Sequence, residues 1–193
     1  KCINELQKSF LKMYPTDEGL THPIDQAQLT RWNFLLQDAI DKGCQTIPLG
    51  LADETHHSPF VPTLVLKPTS QSAVMQEEIF GPILPILGYD KIQDAYAFIN
   101  QRPNPLCIYY FGKSSTNISL LLNQTKSGGV TLNDTLLHYS SHYLPFGGVG
   151  ASGMGSYHGK FGFDTFSHLK PVMEMRSFLG IKSLGGTDRK SVV

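Results

Sequence analysis

The chain has 193 residues, with 16 acidic and 16 basic side chains and a formal net charge of zero. This length is sufficient to bury a hydrophobic core in one domain or slightly more. The balanced charge predicts no interaction with nucleic acid or with an anionic membrane surface, because both need a basic patch. A small molecule or another protein is therefore the expected partner.

The three cysteines, Cys2, Cys44 and Cys107, are far apart and odd in number. This pattern argues against the disulfide framework of a secreted protein and predicts a reducing, cytoplasmic location. Neither a zinc-ligand spacing nor an apolar run near the ~20 residues of a membrane-spanning helix is present. Because a helical pattern is already under way at Cys2, we expect the chain to be a piece of a longer protein.

The first part of the chain predicts two amphipathic helices followed by strands. The first helix covers Lys1 to Met13, where apolar residues recur at helical spacing. The second covers Asp25 to Lys42, with Asp25 as its N-cap, Gly43 as its stop and Trp32 in the core. Strands are predicted at Cys44 to Leu51, Phe60 to Lys67 and Ile83 to Leu87.

A polar turn precedes the last of these strands. Two carboxylates, Glu77 and Glu78, and the aromatic Phe80 stand directly before the breaker Gly81-Pro82. One interpretation is a loop at the edge of a buried sheet that grips a ligand. The alternative is a pair of solvated acids at the end of an element, with Phe80 as a core side chain.

The second part alternates helix and strand, which favours an α/β fold with a mostly parallel sheet flanked by helices. The almost continuous apolar run Leu106 to Phe111 predicts a strand that is covered on both faces. Helices are predicted at Asp90 to Asn100 and at Ser115 to Thr125, and a further strand at Val130 to Asp134.

The segment from Thr135 to Gly162 is too rich in glycine for a regular element, so we expect a long ordered C-terminal loop region. Within it, Gly148 to Gly153 is similar to a dinucleotide-binding fingerprint. That fingerprint needs a strand before it and a helix after it, and neither is predicted here. A tightly wound loop with left-handed or closely approaching glycines is the preferred interpretation.

Three motifs in this order resemble the aldehyde dehydrogenase superfamily. They are Glu77-Glu78-Ile79-Phe80-Gly81-Pro82, Ser127-Gly128-Gly129-Val130-Thr131-Leu132-Asn133-Asp134 and Leu144-Pro145-Phe146-Gly147-Gly148-Val149-Gly150-Ala151-Ser152-Gly153-Met154-Gly155. The following Ser156-Tyr157-His158-Gly159 resembles the class-3 and coniferyl-aldehyde branch. The resemblance covers residues 1–175, which it identifies as the C-terminal part of a catalytic domain, and leaves residues 176–193 as a tail.

The resemblance implies the NAD- or NADP-dependent oxidation of an aldehyde to a carboxylic acid by a homodimeric enzyme. Coniferyl, aromatic and fatty aldehydes are the candidate substrates. A cysteine thiolate attacks the aldehyde, hydride passes to the nicotinamide, and a glutamate activates the water that hydrolyses the thioester. Carried over by motif, Glu78 would bind the hydroxyls of the nicotinamide ribose and Phe80 would pack beside it. Phe146 would line the aldehyde end of the substrate tunnel, and Asn133 would support the site from the end of its strand.

The sequence departs from the family at the catalytic residues. The glycine-glutamine-x-cysteine motif of the nucleophile and the motif of the general-base glutamate do not occur. None of Cys2, Cys44 and Cys107 matches the nucleophile, so we assign no catalytic residue and expect the isolated chain to be inactive. The alternative function is a non-catalytic binding or assembly module that keeps the fold.

Overall fold

The computed structural model describes residues 2–16, 19–50 and 59–174. The described residues divide into two compact units, one that ends at Asp90 and one that starts at Lys91. In this part of the chain, no helix combines the length and the apolar character needed to cross a membrane. The predicted tail at 176–193 lies outside the described residues.

The first unit contains three helices and a three-stranded sheet. Its elements are α1 (Cys2–Met13), α2 (Gln26–Asp41), β1 (Gln45–Pro48), β2 (Thr63–Leu66), α3 (Ala73–Gln76) and β3 (Ile83–Ile86). Strand β2 lies in the centre, antiparallel to β1 and parallel to β3. The two predicted helices and three predicted strands are confirmed, although each strand is shorter than its apolar run.

Helix α2 forms one side of the core of this unit. Its N-cap is Asp25, whose Oδ1 accepts the backbone N–H of Gln28 at 2.7 Å, and Gly43 follows it with a φ of 78°. Its buried side chains Trp32, Leu35 and Ala39 recur at helical spacing and pack with residues of β2, α3 and β3. The predictions of the cap, the stop and the core position of Trp32 are confirmed.

The second unit alternates helices and strands in chain order. Its elements are α4 (Ile92–Asn100), β4 (Cys107–Tyr110), α5 (Ser115–Gln124), β5 (Gly129–Leu132), α6 (Leu137–Ser140), a 3-10 turn (Gly150–Ser152) and α7 (Gly159–Thr165). Strands β4 and β5 are parallel, as predicted for an α/β arrangement. Leu121 of α5 is almost fully buried, with 2% of its surface exposed.

Two predictions for this unit are wrong. The run Leu106 to Phe111 is not covered on both faces, since the residues of β4 are only half-buried and Phe111, beyond the strand end, is 65% exposed. The run reflects β propensity, which does not report how many layers cover a strand. The glycine-rich region is also not free of regular elements, because it contains α6, the 3-10 turn and α7.

Candidate functional site

The loop between α3 and β3, residues 77–82, is held by the guanidinium group of Arg31 on α2. Arg31 Nη1 donates a hydrogen bond to the carbonyl oxygen of Ile79 at 2.7 Å, and Nη2 donates to the carbonyl oxygen of Glu78. Nη2 also lies 3.0 Å from Oε2 of Glu77, which forms an ion pair with the guanidinium. One side chain therefore binds three consecutive residues of the loop, which its planar fork of donors permits.

Two further side chains of α2 bind the next residue of the loop. Gln28 Nε2 donates to the carbonyl oxygen of Phe80 at 3.0 Å, and the indole Nε1 of Trp32 donates to the same oxygen at 3.3 Å. Residues 28, 31 and 32 are three and four positions apart, so they share one face of the helix. This face forms a clamp, made of Gln28, Arg31 and Trp32, that satisfies the carbonyl groups of residues 78–80.

The clamp leaves the side chains of Glu78 and Phe80 directed away from the core. Phe80 has a φ of 46°, which an aromatic residue adopts only when its surroundings impose it, and its side chain is 80% exposed. Glu78 is exposed, and within the described residues its carboxylate has neither a hydrogen-bond donor nor an ion-pair partner. The interpretation of Phe80 as a core side chain is therefore wrong.

A pocket of about 580 Å³ adjoins Phe80 within the first unit. Apolar and aromatic side chains dominate its lining, which comprises Phe10, Tyr14, Leu20, Thr21, His22, Ile24, Gln28, Trp32, Phe80, Gly81 and Pro82. Its size and apolar character are typical of small-molecule sites. Phe80 thus belongs both to the clamped loop and to the wall of a concave surface.

Helix α3, which leads into the loop, is fixed to α2 by Asp38. Its Oδ2 accepts the backbone N–H of Ala73 at 2.7 Å, at the first residue of α3, and its Oδ1 lies 2.5 Å from Nζ of Lys42. Lys42 also donates to the carbonyl oxygen of Gln71 at 2.7 Å. The N–H of Ala73 and then Lys42 lower the pKa of Asp38 below its usual value, because both stabilise the charged carboxylate.

In the second unit, Asn133 joins the ends of the two parallel strands. It follows β5 with a φ of 59°, a conformation that asparagine tolerates better than most residues. Its backbone N–H donates to the carbonyl oxygen of Tyr110 at 2.7 Å, and its Oδ1 accepts the N–H of Gly112 at 2.8 Å. Asn133 therefore ties the exit of β5 to the exit of β4.

Phe146 is the centre of an aromatic cluster. Its ring lies between 5.1 and 6.0 Å, centroid to centroid, from the rings of His138, Tyr139, Tyr157 and His158. Its backbone exchanges two hydrogen bonds with Tyr157, of 3.0 and 2.9 Å. The ring contacts and the backbone bonds together fix the position of the half-buried ring. A residue that shapes a binding surface needs such a fixed position.

In the segment after Phe146, stretches of main chain pack directly against each other. A Cβ atom placed on Gly147 would lie 2.1 Å from the carbonyl oxygen of Gly155, and one on Gly148 would lie 2.1 Å from that of Ser152. The Ser152 hydroxyl bonds to the main chain of Val149, at 3.0 Å from the N–H and 3.1 Å from the oxygen. The prediction of a tightly wound loop is confirmed, and Ser152 has a local structural partner.

The structure thus places Glu78 and Phe80 together on one loop of the first unit, and Asn133 and Phe146 in the second unit. Sequence reasoning missed Gln28 and Arg31 and gave Trp32 only a core position. The available signal was the recurrence of side chains with N–H donors on the face of α2 that also carries buried residues. Such donors on a buried face need acceptors nearby.

The comparisons with known proteins agree with the fold. The sequence pattern of the aldehyde dehydrogenase family matches residues 8–172. The chain belongs to the aldehyde dehydrogenase family. Its relatives place it in the class-3 and coniferyl-aldehyde dehydrogenase-like branch. It is 44% identical over 174 residues to a probable coniferyl aldehyde dehydrogenase of Pseudomonas aeruginosa, an alignment that covers 90% of this chain and 36% of that protein.

Two other relatives give the same result. The human aldehyde dehydrogenase family 3 member B1 is 43% identical over 172 residues, covering 87% of this chain and 36% of that protein. A solved structure of a substrate-bound Staphylococcus aureus AldH superposes with a TM-score of 0.76 at 39% identity, covering 91% of this chain and 39% of that one. The chain therefore spans little more than a third of the length of these relatives.

Proposed function

We propose that this aldehyde dehydrogenase chain is part of an NAD- or NADP-dependent enzyme that oxidises an aldehyde to a carboxylic acid. The observation that carries the proposal is the clamped loop, in which the exposed ring of Phe80 follows two residues after a carboxylate, that of Glu78, which has no partner among the described residues. A carboxylate with two acceptor oxygens suits the two hydroxyl groups of a ribose, and an aromatic face suits a flat ring beside it. The residues present therefore fit a nicotinamide cofactor.

In this function, Glu78 holds the ribose of the cofactor and Phe80 packs beside the nicotinamide. The bound nicotinamide supplies the hydride acceptor for the oxidation. Phe146, fixed by its aromatic cluster, lines the aldehyde end of the substrate tunnel, and Asn133 supports that region from the strand ends. Glu78, Phe80 and Phe146 bind and orient the reactants, whereas Asn133 holds the strand ends. None of the four exchanges a proton or an electron with the reactants.

The nucleophilic cysteine and the general-base glutamate belong, in this proposal, to the part of the relatives that the chain does not span. Cys2 is exposed on α1, Cys107 lies within β4, and Cys44 packs with its sulfur 3.7 Å from the Ser72 hydroxyl. None of the three stands in the glycine-glutamine-x-cysteine motif that carries the nucleophile of the family. The isolated chain is expected to be inactive.

The test is the substitution Glu78→Gln in the full-length enzyme. Losing charged hydrogen bonds to the cofactor costs about 1.5 to 3 kcal/mol, so the cofactor KM should rise roughly ten- to a hundredfold. Steady-state formation of reduced cofactor with a saturating aromatic aldehyde measures this change. Glu5→Gln is the control, because Glu5 is an exposed carboxylate of the same unit that pairs with Lys8 of its own helix at 3.3 Å. Equal cofactor KM values for the two variants would refute the role of Glu78.

The substrate class, location and assembly extend the same proposal. A coniferyl-type aromatic aldehyde is the first candidate, because a similar protein bears that name, and a fatty aldehyde is the second. The odd number and wide spacing of the cysteines support a cytoplasmic location. The family resemblance supports a homodimer. Comparison of kcat/KM for the two aldehydes tests the substrate class. The mass of the full-length enzyme in solution tests the homodimer.

A further inference from the structure

We infer that Arg31 is a positioning residue for the cofactor, acting through the main chain of residues 78–80. This inference rests on the proposed function, because it explains how Glu78 and Phe80 are held ready for the ribose and the nicotinamide. Within the described residues, Arg31 forms neither a hydrogen bond nor an ion pair with the side chain of Glu78 or of Phe80. Its guanidinium contacts the carbonyl oxygens of Glu78 and Ile79 and the carboxylate of Glu77.

The carbonyl bonds are the part of this contact that sets the loop conformation. Three consecutive carbonyl groups, those of residues 78, 79 and 80, are directed at one face of α2, and this arrangement leaves the side chains of Glu78 and Phe80 exposed. The left-handed φ of Phe80 is unfavourable for a residue with a side chain, so it needs compensating contacts. Arg31 supplies two of these contacts and links them through one rigid group.

The ion pair with Glu77 is the less important part. Both partners are substantially exposed, with 31% of the Arg31 side chain and 46% of the Glu77 side chain accessible. Exposed ion pairs contribute little because water competes with the partner and salt screens the charges. By contrast, the hydrogen bond to Ile79 is partly buried, and without it the carbonyl oxygen would lose its donor.

Two substitutions separate these contributions in the full-length enzyme. Arg31→Met removes every donor but keeps the aliphatic stem, and the cofactor KM should rise at least about tenfold, the effect of losing one charge-assisted bond. Glu77→Gln removes the ion pair but keeps the carbonyl bonds, so the cofactor KM should change less than about threefold. In both variants the aldehyde KM should stay at the wild-type value. Arg31→Lys should restore part of the loss, because one ammonium reaches fewer acceptors.

NMR of the 193-residue chain would measure the effect of each substitution on the conformation of the loop. Trp32 is the only tryptophan, and its indole N–H bonds to the carbonyl oxygen of Phe80, so a single indole resonance reports on the loop. Arg31→Met should shift this resonance and speed amide exchange at residues 78–81 while the signals of β2 remain in place. Gln37→Met is the matched control, because Gln37 lies on the same helix and its side chain bonds to Asp41 of that helix, at 2.8 Å.

The outcomes distinguish the two proposals. A tenfold rise in cofactor KM with an unchanged aldehyde KM, together with a displaced indole resonance, supports the role of Arg31. An active wild-type enzyme whose Arg31→Met variant keeps its cofactor KM overturns the role of Arg31 and leaves the proposed function intact. A wild-type enzyme without NAD(P)-dependent aldehyde oxidation overturns both. If Arg31→Met fails to fold, the Arg31→Lys variant gives the same comparison, and a wild-type cofactor KM in that variant overturns the inference.

Discussion

The substitution Gly81→Ala tests how tightly the clamped loop is packed against α2. A Cβ atom at position 81 would lie 2.1 Å from Nε1, 2.3 Å from Cε2 and 2.8 Å from Cδ1 of Trp32. The indole ring cannot move freely, because only 6% of its surface is exposed and its centroid lies 5.6 Å from that of the Phe60 ring in an edge-to-face contact. Either the ring or the loop must therefore shift.

The expected cost follows from three contributions. Forcing a methyl group into a packed core typically costs about 1 to 3 kcal/mol. Displacing the indole also weakens its hydrogen bond to Phe80, which contributes about 0.5 to 1.5 kcal/mol. In the opposite direction, alanine lowers the conformational entropy of the unfolded chain, which stabilises the folded state by about 0.4 to 1 kcal/mol. The net loss in the free energy of unfolding should be about 0.5 to 4 kcal/mol, on the sum of these ranges.

Urea denaturation followed by the fluorescence of Trp32 measures this loss, since the chain has no other tryptophan. Gly88→Ala is the matched control, because a Cβ atom at position 88 meets no atom of the described residues beyond its chain neighbours within 4 Å. The control should be neutral or slightly stabilising. Equal urea midpoints for the two variants would refute the close packing of Gly81 on Trp32 and, with it, the geometry of the clamp.

Asp38→Asn should flatten the dependence of Tm on pH in the acid range. Because the pKa of Asp38 is lowered on folding, its stabilisation is present above the usual value of 3.8 and is lost as the pH falls through the lowered value. Parallel Tm curves for the variant and the wild type would contradict this role. Leu121→Ala should cost about 2 to 5 kcal/mol, since Leu121 is buried, whereas Phe111→Ala should cost less than about 1 kcal/mol because Phe111 is exposed. Urea midpoints measure both, and a larger loss at Phe111 would show that a further layer covers it.

Much of the fold follows from local pattern alone. The helix starting after Asp25 was predictable because an N-cap, an apolar period and a following glycine agree with one another. The parallel pairing of β4 with β5 followed from the short helical connection between them. The motif that carries Glu78 and Phe80 was also identified correctly as a loop at a sheet edge, since α3 ends at Gln76 and the edge strand β3 starts at Ile83, directly after the Gly-Pro pair.

The contacts that orient the site were not predictable in the same way. The bond from Arg31 to Ile79 joins residues 48 positions apart, and no period or spacing rule connects a long side chain to a distant carbonyl group. The exposure of Phe111 was missed for a related reason. Burial of a strand depends on what packs on the sheet, whereas the apolar run reports only the preference of its own residues.

The contrast between Gly81 and the glycines after Phe146 bears on how this protein tolerates variation. At Gly81 the obstacle is a side chain, so a compensating change at Trp32 could make room for a larger residue. At Gly147 and Gly148 the obstacle is a carbonyl oxygen of the main chain, which no second substitution removes. In a saturation library, a larger residue at position 81 should therefore become tolerated when a second substitution reduces the side chain at position 32. At positions 147 and 148, glycine should be the one residue tolerated, whatever the second substitution.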